Sequence, residues 1–120
     1  MKSESEVLEY AGASFRSVWA LELLLLLRRS ARSWTPADII KELRSSRVVV
    51  IEALNNLTAA GLAVREERDE YRYAAVGHAE QLIADLERLY AVKPTLVMRS
   101  IVNSPNSKLQ MLSDAFRIKE

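Results

Sequence analysis

Between Thr35 and Val76 the apolar positions change their period twice, and each change falls at a residue that breaks regular structure. Thr35 and Pro36 form a helix start: the threonine hydroxyl caps free N–H groups, and proline at the first helical position has no N–H to waste. Asp38 adds a negative charge to that first turn. Ile39, Ile40 and Leu43 follow as its buried stripe. Arg44, Ser45 and Ser46 are a tight polar break, with Ser46 placed to cap a second helix. In the run 47–60, Val50, Ala53, Leu54 and Leu57 share one face, and Gly61 supplies a left-handed stop. The spacing then turns strand-like. Residues 62–66 and 71–75 predict two short strands around a polar tip of Glu67, Arg68, Asp69 and Glu70.

The flanks carry simpler patterns. In residues 15–29, Phe15, Val18, Trp19, Leu21, Leu23, Leu24, Leu26 and Leu27 wrap most of the circumference, the mark of a buried helix. Ahead of it, residues 1 to about 11 are acidic and form a first turn or two of helix through Val7, Leu8 and Tyr10, or stay loose, with Gly12 and Ser14 as interruptions. Gly77 breaks the pattern after the hairpin. Leu82, Ile83, Leu86, Leu89 and Tyr90 mark an amphipathic helix over 78–92. Pro94 starts another with Leu96, Val97, Met98, Ile101 and Val102, and Pro105 a third with Leu109, Leu112, Phe116 and Ile118. The predicted fold is mainly α with a small β-hairpin. It comprises an N-terminal segment (1–14), a central domain (15–76) and a C-terminal helical extension (77–120) whose surplus apolar stripe suits dimerisation.

The run Leu54, Asn55, Asn56, Leu57, Thr58, Ala59, Ala60, Gly61, Leu62, Ala63 and Val64 resembles winged helix-turn-helix transcription regulators of the MarR, ArsR and PadR type. There the recognition helix ends at Gly-Leu and runs into the wing. Tyr71, Arg72 and Tyr73 resemble the returning wing strand. The resemblance covers residues 15–76. It implies a homodimer bound to double-stranded DNA, with the second helix in the major groove and the wing on phosphate or in the minor groove. Carried onto this chain, the DNA-facing set is Ser45, Ser46, Arg47, Val48, Ile51, Glu52, Asn55 and, on the wing, Arg68. Arg47 would meet phosphate or guanine, Asn55 adenine, and Val48 or Ile51 a thymine methyl.

Charge complicates this expectation. The net charge is only +1, so any affinity for nucleic acid must come from a local patch. Arg28, Arg29, Arg32, Lys41 and Arg44 supply candidate phosphate contacts, although the first three equally finish a helix. Around the hairpin tip, Glu66, Glu67, Asp69 and Glu70 outnumber Arg65 and Arg68, and an anionic wing binds phosphate poorly. Four β-branched residues in a row, 48–51, cannot all be buried on one helix face. Exposed valine and tolerance of acid favour the alternative class, a winged helix that docks a protein instead of DNA.

Other classes find little support. The chain has no cysteine, which removes disulfides, thiolate metal sites and cysteine nucleophiles. His78 is the sole histidine, better placed as a helix-start or surface residue than as a ligand. Trp19 and Trp34 are expected in packing rather than in a small-molecule pocket. With no triad spacing, phosphate-binding glycine loop or paired carboxylates, the expectation is a non-enzyme without cofactor or metal. The most apolar stretch, 18–27, contains Glu22 and is shorter than the roughly 20 residues of a membrane span. No secretory pattern opens the chain, so a cytoplasmic protein is expected.

Overall fold

A computed structural model describes residues 3–105 of the chain. Among the described residues it is mainly helical, with one two-stranded antiparallel hairpin: α1 (Glu4–Ser14), α2 (Val18–Ser30), α3 (Pro36–Leu43), α4 (Arg47–Ala59), β1 (Ala63–Glu66), β2 (Glu70–Tyr73), α5 (Gly77–Val92) and α6 (Pro94–Val102). The stripe of Leu109, Leu112, Phe116 and Ile118 lies outside the described residues. The described residues divide into two compact units, one over 19–80 and the other formed by 3–18 with 81–105.

In the unit 19–80, α2 is sealed on nearly every side. Leu21, Leu23, Leu24, Leu25 and Leu27 are all buried, as a helix apolar around its circumference requires. Trp19, at the start of α2, is instead exposed. Helix α3 begins where its residues predict, with the Thr35 hydroxyl accepting from the Asp38 N–H at 3.2 Å. Of its expected stripe only Ile39 is fully buried; Ile40 and Leu43 are half-exposed. Its end is enforced by Arg44, which adopts a left-handed φ of 52°.

The Ser46 hydroxyl then accepts from the Val49 N–H at 3.2 Å and opens α4, whose Val50, Ala53, Leu54 and Leu57 are buried. Gly61, at φ 74°, turns the chain into β1. A side chain there would be strained whatever the space around it.

The hairpin pairs Ala63 with Tyr73 and Glu66 with Glu70. A third stretch joins this sheet. Trp34, just before α3, exchanges two backbone hydrogen bonds with Tyr71, its N–H donating at 2.8 Å and its carbonyl accepting at 2.7 Å. β2 is therefore bonded on both sides at this point, and the sheet edge lies at Trp34. One residue of strand has no period, so the sequence pattern did not reveal it.

In the other unit, α1 packs against α6. The N-terminal segment is helical through Gly12 and Ser14, the two positions expected to interrupt it. Gly12 allows a close approach: a Cβ there would lie 2.9 Å from the Ser100 carbonyl oxygen. Val7, Ala11, Phe15, Val97 and Ile101 are buried, and Lys93 Nζ pairs with Glu4 at 3.1 Å. The buried helix expected from Phe15 begins instead at Val18, because Phe15 is the extended cap that closes α1.

Candidate nucleic-acid interface

The turn from α3 into α4 gathers the cations. Lys41, Arg44 and Arg47 are exposed and have no ion-pair partner among the described residues. Within residues 41–47 only Glu42 opposes them. The geometry that concentrates them is local. Left-handed Arg44 and extended Ser46, at φ −99° and ψ 161°, reverse the chain between two helices that pack on each other. Ser46 is occupied in capping, and half-buried Ser45 donates its backbone N–H to the Ile40 carbonyl at 3.1 Å. Both serines thus shape the turn.

Along α4, Arg47 and Asn55 are exposed, Ile51 and Glu52 half-buried, and Val48 is 65% exposed. Asn56, adjacent to Asn55 in sequence, is buried. One outward strip therefore carries Val48, Ile51, Glu52 and Asn55, at the i, i+3, i+4, i+7 spacing of a single helix face.

The candidate cations outside the turn divide. Arg28 is corrected as a phosphate contact. Its Nε donates to Glu80 Oε1 at 3.0 Å and its Nη2 to Oε2 at 3.2 Å, so the fork is filled by a carboxylate. Tyr73 completes the cluster by donating its hydroxyl to Glu80 Oε1 at 2.8 Å. The Arg28 fork, aided by that hydroxyl, holds the Glu80 carboxyl below its ordinary range. Burial, reinforced by Glu80, pushes the Tyr73 phenol well up. This cluster ties the end of α2 to β2 and to the first turn of α5. Arg29 is exposed. Arg32 is exposed too, but lies flat over the Trp34 ring at 3.5 Å and donates to the Ser33 carbonyl at 2.9 Å.

The hairpin is less anionic than its tip implies. Arg72 on β2 brings the count over residues 65–72 to three arginines against four carboxylates. Two of those carboxylates are paired: Glu66 with Arg72 at 3.2 Å and Asp69 with Arg65 at 3.1 Å. The Ser33 hydroxyl also donates to Glu66, and it is the main cause holding that carboxyl below its usual value, with Arg72 contributing. Arg68, at the tip with φ 66°, has no ion-pair partner among the described residues. The signal missed in the sequence was cross-strand register, which sets Arg72 beside Val64 and within reach of Glu66.

His78 is exposed near the start of α5. Among the described residues no group of three or more His, Cys, Asp or Glu side chains could hold a metal ion. No single helix among them is long and apolar enough to cross a membrane. In comparisons with known proteins, no family matches this chain, and no curated protein or solved structure matches it either.

Proposed function

We propose that residues 15–76 are a winged helix-turn-helix module, and that the chain regulates transcription by binding double-stranded DNA as a homodimer. The observation that carries the reading is the turn before α4: three exposed cations without ion-pair partners among the described residues, Lys41 in the last turn of α3, Arg44 at its cap and Arg47 at the first residue of α4, ahead of exposed Val48 and Asn55. Cations at that point displace counterions from phosphate, the main source of affinity for duplex DNA. The order helix, single-residue bridge, helix, turn, helix, hairpin supports the same reading, because Trp34 supplies the short third strand that lies against the wing. Arg68 at the hairpin tip and exposed Arg29 and Arg32 are further phosphate contacts in this proposal.

The test is fluorescence titration of a random duplex across a salt series. At about −0.9 for each phosphate neutralised, the three turn cations give a slope of log affinity on log salt near −2.7 for one protomer and near −5.4 for the dimer, steeper still with Arg29, Arg32 and Arg68 engaged. A folded protein with no duplex binding at low salt overturns the reading.

A second reading, a winged helix that docks a protein, is favoured by one observation, the 65% exposure of Val48. Under it, Val48→Asp abolishes partner binding, while Arg47→Ala leaves nucleic-acid binding unchanged because there is none.

A further inference from the structure

Val48 has no structural employment. It is the second residue of α4 and 65% exposed, whereas the core face of the helix is completed by Val50, Ala53, Leu54 and Leu57. Valine is also a mediocre helix former, since its branched Cβ loses rotamer freedom against the preceding turn. A polar residue there would serve the fold better. Its neighbours are Arg47 and, just before the turn, Arg44, both exposed.

Size and charge decide what can cover such a group. A stable protein interface buries about 800 Å² on each partner and centres on a cluster of large side chains. On α4 half-buried Ile51 is the apolar residue beside Val48 on the strip; exposed Arg44 and Arg47 flank its leading end, and half-buried Glu52 follows one turn on. That patch is too small for a protein anchor. A pyrimidine C5-methyl group is an apolar target of matching size, and it projects into the major groove between phosphate rails that want cations. The β-branch helps here, because one dominant χ1 rotamer in a helix presents the isopropyl group without further ordering.

We propose that Val48 reads a thymine C5-methyl group, making this chain selective for a thymine at one position of each half-site. The inference rests on the DNA-binding reading and specifies the base that reading leaves open. Asn55, two helical turns further along the same face, is available to the N6 and N7 edge of an adenine. Ile51 lines the same strip more deeply and limits where the methyl can sit.

The experiment uses the full chain and lets the protein choose its own operator. The wild-type protein selects its preferred duplex from a randomised library. Each thymine of that duplex is then replaced singly by deoxyuridine, which keeps every hydrogen-bonding edge and removes only the methyl group. One replacement per half-site is expected to weaken binding about fourfold, the value of one methyl group removed from water. Val48→Ala is expected to bind the thymine and uracil duplexes alike, with its helical circular dichroism unchanged.

Selected binding that is indifferent to every uracil replacement overturns the inference and leaves the DNA reading standing. Absence of any duplex binding at low salt removes both. Should Val48→Ala fail to fold, Val48→Ser takes its place in the same comparison, and a thymine preference that survives the substitution overturns the inference.

Discussion

Arg44 sits where glycine would be less strained, and its cation is among the three unpaired ones at the turn. Its left-handed φ of 52° costs a residue with a Cβ about 1–2 kcal/mol. Arg44→Gly is therefore expected to raise stability by up to about 1 kcal/mol, after allowance for glycine's greater unfolded-state freedom. Under the DNA-binding proposal the same change removes a phosphate contact and is expected to flatten the salt slope of duplex binding by about one unit. Thermal denaturation and salt titration of one variant would thus move in opposite directions. If stability falls while the salt slope is unchanged, Arg44 serves the fold and not the duplex.

Arg47→Ala should cost about 1–3 kcal/mol on the selected duplex if the side chain reads guanine, or flatten the slope alone if it holds phosphate. Glu52→Gln, on the same outward strip, should strengthen binding to random duplex by removing a negative charge that faces phosphate.

At the scale of elements, the caps and breakers of α3, α4 and the hairpin, and the buried stripe of α4, were legible because each is a local signal. Thr35, Ser46 and Gly61 act within a few residues of themselves. What was not legible depends on partners distant in sequence. Gly12 looked like a helix breaker and is instead the point where α1 approaches the Ser100 carbonyl. Arg28 looked like a free cation, but its carboxylate partner is Glu80, far along the chain. Trp34 pairs with Tyr71 across α3, α4 and β1.

These long-range ties make testable claims. Gly12→Ala gains up to about 1 kcal/mol of helix propensity. It also drives a Cβ to 2.9 Å from a backbone oxygen, and overpacking of that kind costs about 1–3 kcal/mol. The expected result is a net loss of stability on thermal denaturation, worse for Gly12→Val.

The Arg28, Glu80 and Tyr73 cluster gives a pH signature. The folded Glu80 carboxyl titrates below its unfolded value, so its contribution is present above the ordinary carboxylate pKa of about 4.3 and is lost as pH falls through the depressed one. The Tyr73 phenol titrates above its unfolded value, so its contribution is complete below about pH 10 and declines as pH rises beyond that. Glu80→Gln should flatten the acid limb of stability against pH. It should also shrink the alkaline one, since the carboxylate helps hold the phenol neutral. The pair is partly exposed, so a loss of about 1 kcal/mol at neutral pH is expected. An unchanged acid limb in urea denaturation at stepped pH would count against this assignment.

For the whole molecule the question is how a nearly neutral chain would hold DNA. The net charge of +1 gives no long-range attraction to speak of, and the three cations of one turn give only modest affinity at physiological salt. A symmetric pair changes the arithmetic, because two linked half-site contacts multiply instead of adding. The apolar residues left exposed in the unit 3–18 with 81–105 are the available material: Val92 at 76%, Val102 at 49% and Met98 at 38%. Met98 and Val102 lie four residues apart on α6 and share one face of it.

A homodimer through that face predicts a dimer mass by light scattering at micromolar concentration. Val102→Glu should convert it to a folded monomer, since the position is half-exposed and the charge is costly only when a second copy covers it. On a duplex carrying two half-sites, the monomeric variant should lose roughly half the salt slope, because half the phosphate contacts are gone. A wild-type monomer at that concentration would sink the dimer. A dimer that Val102→Glu leaves intact would move the interface elsewhere on the chain.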